Sequence, residues 1–154
     1  MDYLRRLEIK LVKGEYKNPV QGQIRDPRHV YKVFRSIKDK NQEILIGVYL
    51  ADNLEVNVYD ILAVGSASEA SIRTDEIFNR AIITRSRYFL LVHNHPSGDP
   101  TPSSADREFI EELHIQSKIL HRIFLDFIIV GDGKYWSLFD EEEEGGEYAL
   151  GRLK

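Results

Sequence analysis

Two histidines one residue apart, His93 and His95, stand at the end of an apolar run. Across a short loop follows a Ser-x-x-Asp pair, Ser103 and Asp106. In an extended chain, side chains at i and i+2 project to the same side, so both imidazoles face whatever cleft lies beyond the run. Neutral imidazole suits Zn²⁺, and two of them leave room for a carboxylate and a water. Asp106 can supply that carboxylate. The loop between them holds Pro96, Pro100 and Pro102 with Gly98. It has few conformations to lose, so it can return a helix's first turn to the strand end. Ser103 and Asp106 also suit a plain helix cap, with Ser at the N-cap and Asp in the first turn. No other stretch of the chain competes as a chemical centre.

The elements around this stretch must hold it in place. Tyr88 to Val92 is short and wholly apolar, as in a central strand covered on both faces. A helix is expected from about Ser104 to Leu120, its apolar set being Phe109, Ile110, Leu113, Ile119 and Leu120. Glu43 to Leu50 and Glu55 to Val64 read as a hairpin turned by Ala51-Asp-Asn-Leu. Asp26-Pro27 is a good helix start, and Val30, Val33, Phe34 and Ile37 form one apolar stripe running to about Lys38. Thr74-Asp-Glu opens another helix, with Ile77, Phe78, Ala81 and Ile82 as its buried side. Ile123 to Val130 is a strand, Gly131-Asp-Gly a turn, and Tyr135 to Phe139 a returning strand. Leu7 to Val12 alternates apolar and charged residues, as a half-buried edge strand does. Asn18 to Gln23 reads as a connector and Gly65-Ser-Ala-Ser as a loop. The whole predicts an α/β (α+β) fold, a mixed sheet flanked by helices.

The 154 residues allow one well-filled core, and 42% apolar with 30% charged residues is a globular composition. With no cysteine, disulfides and thiolate sites are excluded and any metal must take N and O ligands. No apolar run approaches the ~20 residues of a membrane span and no leader-like segment opens the chain, so the expectation is a cytoplasmic protein without a membrane partner. Charge is uneven: residues 1–40 carry eleven Lys/Arg against five Asp/Glu, residues 41–139 eight against fourteen, and residues 140–154 two against six. A basic leading segment can touch phosphates or an acidic partner, or simply be a solvated surface. The acidic run from Asp140 should repel itself and stay solvated.

The spacing H-x-H-x(7)-S-x(2)-D resembles the JAMM motif of the JAB/MPN metallohydrolase domains. The fuller string His93-Asn-His-Pro-Ser-Gly-Asp-Pro-Thr-Pro-Ser is similar to the RadC branch of that superfamily. The resemblance covers roughly Asp26 to Phe139. It divides the chain into a basic N-terminal strand and connector (1–25), a JAB/MPN domain (26–139) and an acidic C-terminal tail (140–154). It implies the curved mixed sheet of the JAB/MPN, cytidine-deaminase-like architecture. It also implies one Zn²⁺ on His93, His95 and Asp106, with Glu43 as general base and Ser103 helping to hold an oxyanion. Taken without the family, Glu43 would be a solvated residue at a strand start. The implied activity is that of a zinc hydrolase of the metallopeptidase or isopeptidase type, acting on a peptide, isopeptide or protein substrate.

RadC proteins also carry a family-level link to DNA repair. The alternative is therefore a DNA-associated repair or mobile-element protein, conceivably a JAMM-zinc nuclease, without peptidase activity. His93-Asn94-His95 is not an HNH nuclease motif, whose histidines lie far apart in sequence. A third expectation, a structural zinc that only staples the loop, would need four protein ligands, and three are identified. Two departures stand out. About 25 residues precede the domain where full-length RadC proteins have a helix-hairpin-helix-like region, so a short form is expected. The position after Asp126, often His in the family, is Phe127. His29, His114 and His121 match no motif position. A homodimer is compatible with all of this.

Overall fold

The computed structural model describes residues 3–17, 22–65, 73–143 and 147–148. Its centre is β3 (Tyr88–Asn94), in which every residue is buried. β1 (Glu43–Leu50) pairs antiparallel on one side of it, and β4 (Ile123–Val130) pairs parallel on the other. β2 (Val56–Gly65) continues the hairpin outside β1, and β5 (Tyr135–Ser137) flanks β4, giving the order β2-β1-β3-β4-β5. Three antiparallel pairings and one parallel one make this the mixed sheet expected from the sequence.

Strand parity divides the core into two layers. Ile46, Val48, Leu50, Leu90, Val92, Ile128 and Val130 face α1 (Pro27–Phe34) and the short 3-10 turn Arg35–Asp39. Tyr49, Phe89, Leu91, Phe127 and Ile129 face α2 (Thr74–Ile83) and α3 (Ser104–Ile119). The fold is therefore α+β, with helices on both faces of the sheet. The α1 start is as its residues dictate: Asp26 accepts hydrogen bonds from the backbone N–H groups of Arg28 and His29 at 2.8 and 3.3 Å, and Pro27 occupies the first turn. No described helix is long and apolar enough to cross a membrane.

Four expectations need correction. Leu7 to Val12 forms no strand. The segment pairs with nothing among the described residues, and Leu7 and Val12 are 83% and 87% exposed. Alternation alone does not make a strand where no neighbouring ladder exists. Tyr135 to Phe139 is a strand only as far as Ser137, because Leu138–Glu143 turns into a helix, α4. The acidic run from Asp140 thus begins as helix, its acidic residues sitting in the favourable first turn. Further on Tyr148 is buried against Phe139. Ile82, expected on the buried side of its helix, and Ile119 and Leu120, expected in the apolar set of theirs, are 46%, 68% and 39% exposed, since the buried apolar residues of α2 and α3 are Ile77, Phe78 and Ala81, and Ile110 and Leu113. α1 gives way to the 3-10 turn after Phe34 rather than running as α-helix to Lys38. The Gly65-Ser-Ala-Ser loop after Gly65 and most of the Asn18 to Gln23 connector lie outside the described residues.

Candidate metal centre

The site forms where β3 ends and α3 begins. His93 shares the parity of Phe89 and Leu91, which points it to the face covered by α3. His95 follows just past the strand end. The loop after it is fastened to the β4–β5 turn by a hydrogen bond from the Asp132 N–H to the Gly98 carbonyl at 2.8 Å. Gly131 permits this close approach, because a Cβ there would sit 2.5 Å from the Gly98 oxygen. The loop therefore returns the α3 N-terminus to the histidines.

At that N-terminus Ser103 and Asp106 form a capping box. The Ser103 Oγ accepts from the Asp106 N–H at 3.1 Å, and Asp106 Oδ2 accepts from the Ser103 N–H at 2.8 Å. The same carboxylate also faces both imidazoles. Oδ2 is 3.0 Å from His95 Nε2, and Oδ1 is 3.9 Å from His93 Nε2. Cap and candidate ligand are thus one residue, not alternatives. Glu43, the first residue of β1, brings Oε1 to 3.8 Å from His93 Nε2. Donor atoms of Glu43, His93 and His95 all lie within 4.8 Å of one another. The four side chains are 10–14% exposed, so the cluster is sheltered yet open on one side.

Both imidazole tautomers follow from backbone acceptors. His93 Nδ1 is 3.1 Å from the Ile44 carbonyl, and His95 Nδ1 is 2.8 Å from the Asp99 carbonyl. A carbonyl oxygen only accepts, so each Nδ1 carries the proton and donates it. Each Nε2 of a neutral ring is then a bare lone pair aimed at carboxylate oxygens. Lone pair against carboxylate is unfavourable unless a cation stands between them, whether a proton or a metal ion. This is how metal-binding histidines are oriented by their second nitrogen. Two imidazole nitrogens with carboxylate oxygens and no thiolate suit zinc among the common metals, so the residues present fit that ion.

The titration of these groups follows the same geometry. The Asp106 hydrogen bond raises the His95 pKa above the ordinary histidine value, against the opposing effect of burial. Burial lowers that of His93, although Asp106 and Glu43 pull it upward. Burial pushes the Asp106 carboxyl up, but the hydrogen bonds from His95 and Ser103 outweigh it and hold the group below the usual carboxylate range.

Two contributors were not singled out in the sequence. Asn94 is fully buried; its side-chain oxygen accepts from the Ile44 N–H at 2.6 Å and its amide donates to the Gln42 carbonyl at 3.1 Å. It grips the backbone on both sides of Glu43. The only sequence signal was its place between the two histidines, where parity turns it to the opposite face. Asp99 orients His95 through its carbonyl, and its carboxylate accepts from the Thr101 N–H and hydroxyl at 3.0 and 2.7 Å. Phe127 lies with its ring centre 6.2 Å from that of His93, forming an apolar wall. His29, His114 and His121 are elsewhere: His29 accepts from the Arg25 N–H, His114 packs on Phe124, and His121 takes a left-handed backbone conformation just past α3.

A mixed sheet with helices on both faces, and a two-histidine, two-carboxylate cluster at its central strand's end, define a domain of the JAB type. The family model described as a RadC-like JAB domain matches residues 24–145, and the chain belongs to that family. It is 35% identical over 119 residues to a UPF0758 protein of Methanosarcina mazei, covering 77% of this chain and 52% of that protein. It is 36% identical over 114 residues to a UPF0758 protein of Carboxydothermus hydrogenoformans, covering 73% and 50%. To one from Aquifex aeolicus it is 28% identical over 118 residues, covering 77% and 51%. The chain spans about half the length of the curated relatives it matches.

Proposed function

We propose that this domain is a zinc-dependent hydrolase that cuts an amide bond in a peptide, isopeptide or protein. The observation that carries this is the pair of Nδ1-anchored imidazoles whose Nε2 atoms converge, with Asp106 and Glu43, on one sheltered point. His93, His95 and Asp106 would hold the ion. Bound there, zinc supplies an acidified water, whose pKa can fall to about 7, and polarisation of the scissile carbonyl. Glu43 is close enough to the same point to take a proton from the attacking water and deliver it to the leaving amine. Ser103 accepts from the Asp106 N–H through its Oγ, and its hydroxyl at the α3 N-terminus would turn to donate toward a developing oxyanion. Asn94 holds the strand that carries Glu43, and Phe127 keeps water from one side of His93.

The test is a substrate panel of unstructured peptides, isopeptide-linked conjugates and single-stranded DNA, run with and without a chelator. Chelator-sensitive, zinc-restored cleavage of amide bonds supports the proposal. Cleavage of DNA alone supports the nuclease alternative. The DNA-associated role is favoured by exposed Arg5, Arg6, Lys10 and Lys13; it requires affinity that falls steeply with salt.

A further inference from the structure

Residues 3–13 form an arm without assigned secondary structure, whose apolar side chains stand half exposed or more. Leu7, Ile9 and Leu11 are 83%, 52% and 65% exposed, and they alternate with Glu8 and Lys10. Such a period suits a strand with one face buried. The arm's root, by contrast, is fixed. The Tyr59 hydroxyl accepts from the N–H groups of Glu15 and Tyr16 at 2.7 and 3.2 Å, and Tyr16 packs between Phe34 and Tyr59. Gly14 crosses the Tyr59 ring so closely that a Cβ would lie 2.2 Å from its oxygen.

Tyr59 belongs to β2, which is the outermost strand on its side of the sheet. Beyond the single bridge between Gln23 and Glu55, no described residue pairs with its outer edge. Its N–H and C=O groups there form an open template for another strand. Ile61 and Val64 on β2 are exposed and border a groove of about 580 Å³ that also touches Glu15 and Tyr16 at the arm's root. Eleven extended residues reach ~35 Å, enough to run the length of the ten-residue β2. Charge agrees: residues 3–13 carry four basic residues against one acidic, while residues 41–139 carry eight against fourteen.

We propose that the arm of one copy adds as a strand to the β2 edge of a second copy, and the reverse, making a two-fold symmetric dimer by strand exchange. Because the arm's root and the accepting edge share β2, one two-fold axis beside that strand satisfies both exchanges at once. The arm's apolar residues enter the Ile61–Val64 groove, and its Lys and Arg residues meet the acidic body of the partner.

The full-length chain tests this by sedimentation velocity at micromolar concentration. A dimer is expected for the wild type. Leu7→Lys should raise its dissociation constant about tenfold or more, a loss of about 1.4 kcal/mol or more, without changing the circular dichroism of a fold the arm does not help to build. The chain has no cysteine, so Ile9→Cys and Ile61→Cys proteins can be mixed and oxidised cleanly; a disulfide between the two different variants is expected. A wild type that stays monomeric overturns the proposal. So does a dimer untouched by Leu7→Lys, or a double variant whose disulfide closes within one chain. A monomer that uses the arm to retain DNA in a salt-dependent way overturns it as well.

Discussion

His95 Nε2 lies 3.0 Å from Asp106 Oδ2 while Nδ1 of the same ring donates to the Asp99 carbonyl. The ring cannot turn to escape the carboxylate, because its other nitrogen is already committed. A loop carbonyl, a strand-end histidine and the third residue of a helix are thereby joined into one unit that could hold a cation.

Asp106 serves two ends, so its removal should show twice. Asp106→Ala should abolish near-stoichiometric zinc binding and also lower stability by about 1 kcal/mol through loss of the capping box. Ser103→Ala should cost a similar ~1 kcal/mol with zinc retained. Metal analysis paired with urea unfolding of the two variants separates cap from ligand. An Asp106→Ala protein that keeps its zinc would remove Asp106 from the ligand set.

Asn94 positions Glu43 without approaching the cluster's centre. Asn94→Ala leaves the Ile44 N–H and the Gln42 carbonyl without their partner, a loss of roughly 2–3 kcal/mol for buried groups. Turnover should fall while the zinc content stays that of the wild type. An unchanged turnover at equal zinc would show that Glu43 does not depend on Asn94.

Gly131 allows the loop between His95 and Ser103 to lie on the β4–β5 turn. Gly131→Ala forces a Cβ against the Gly98 oxygen and the Pro100 ring, at 2.5 and 2.7 Å, so the loop must lift. Weaker zinc binding together with faster amide exchange around Gly98 is the expected result, read by hydrogen exchange. Exchange confined to the Gly131 turn would contradict it.

Asp126 sets a pH dependence on the opposite layer of the core. It accepts from the Ser137 and Tyr148 hydroxyls at 2.7 and 2.5 Å and from the Phe139 N–H at 3.0 Å. Burial pushes its carboxyl up to about 7 against those bonds. Below about pH 4 the group is protonated in both folded and unfolded chains. Between about 4 and 7 the unfolded chain releases the proton first, so the folded state binds more protons and its stability falls as pH rises. The difference in urea midpoint between wild type and Asp126→Asn should therefore shift against the wild type from pH 4 to 7, then level off. A flat difference would contradict the assignment.

Much of this was readable from local chemistry. Asp26-Pro27 started α1, and the wholly apolar Tyr88–Val92 became the buried central strand, because those patterns answer to short-range rules. The parity of His93 and His95 and the Ser103-x-x-Asp106 spacing bring the cluster into view, although cap and ligand read as rival explanations in the sequence, whereas in the fold the capping carboxylate also faces both imidazoles. What escaped depended on tertiary neighbours. Leu7 to Val12 alternates as a strand should, yet pairing partners are a property of the fold and not of the segment. Phe139 looked like the end of a strand, but its N–H bonds to Asp126 inside the first turn of α4. Asn94 was invisible because its importance lies in the backbone of β1, fifty residues earlier.

The division of labour between Glu43 and the other three residues is the point on which a hydrolase and a closed structural site part company. Zinc titration and turnover measured together on Glu43→Gln test it most directly. One equivalent of zinc bound as in the wild type, with turnover reduced about a hundredfold or more, is the predicted result. Loss of zinc from that variant would make Glu43 a fourth ligand, and wild-type turnover would show that it is not the base.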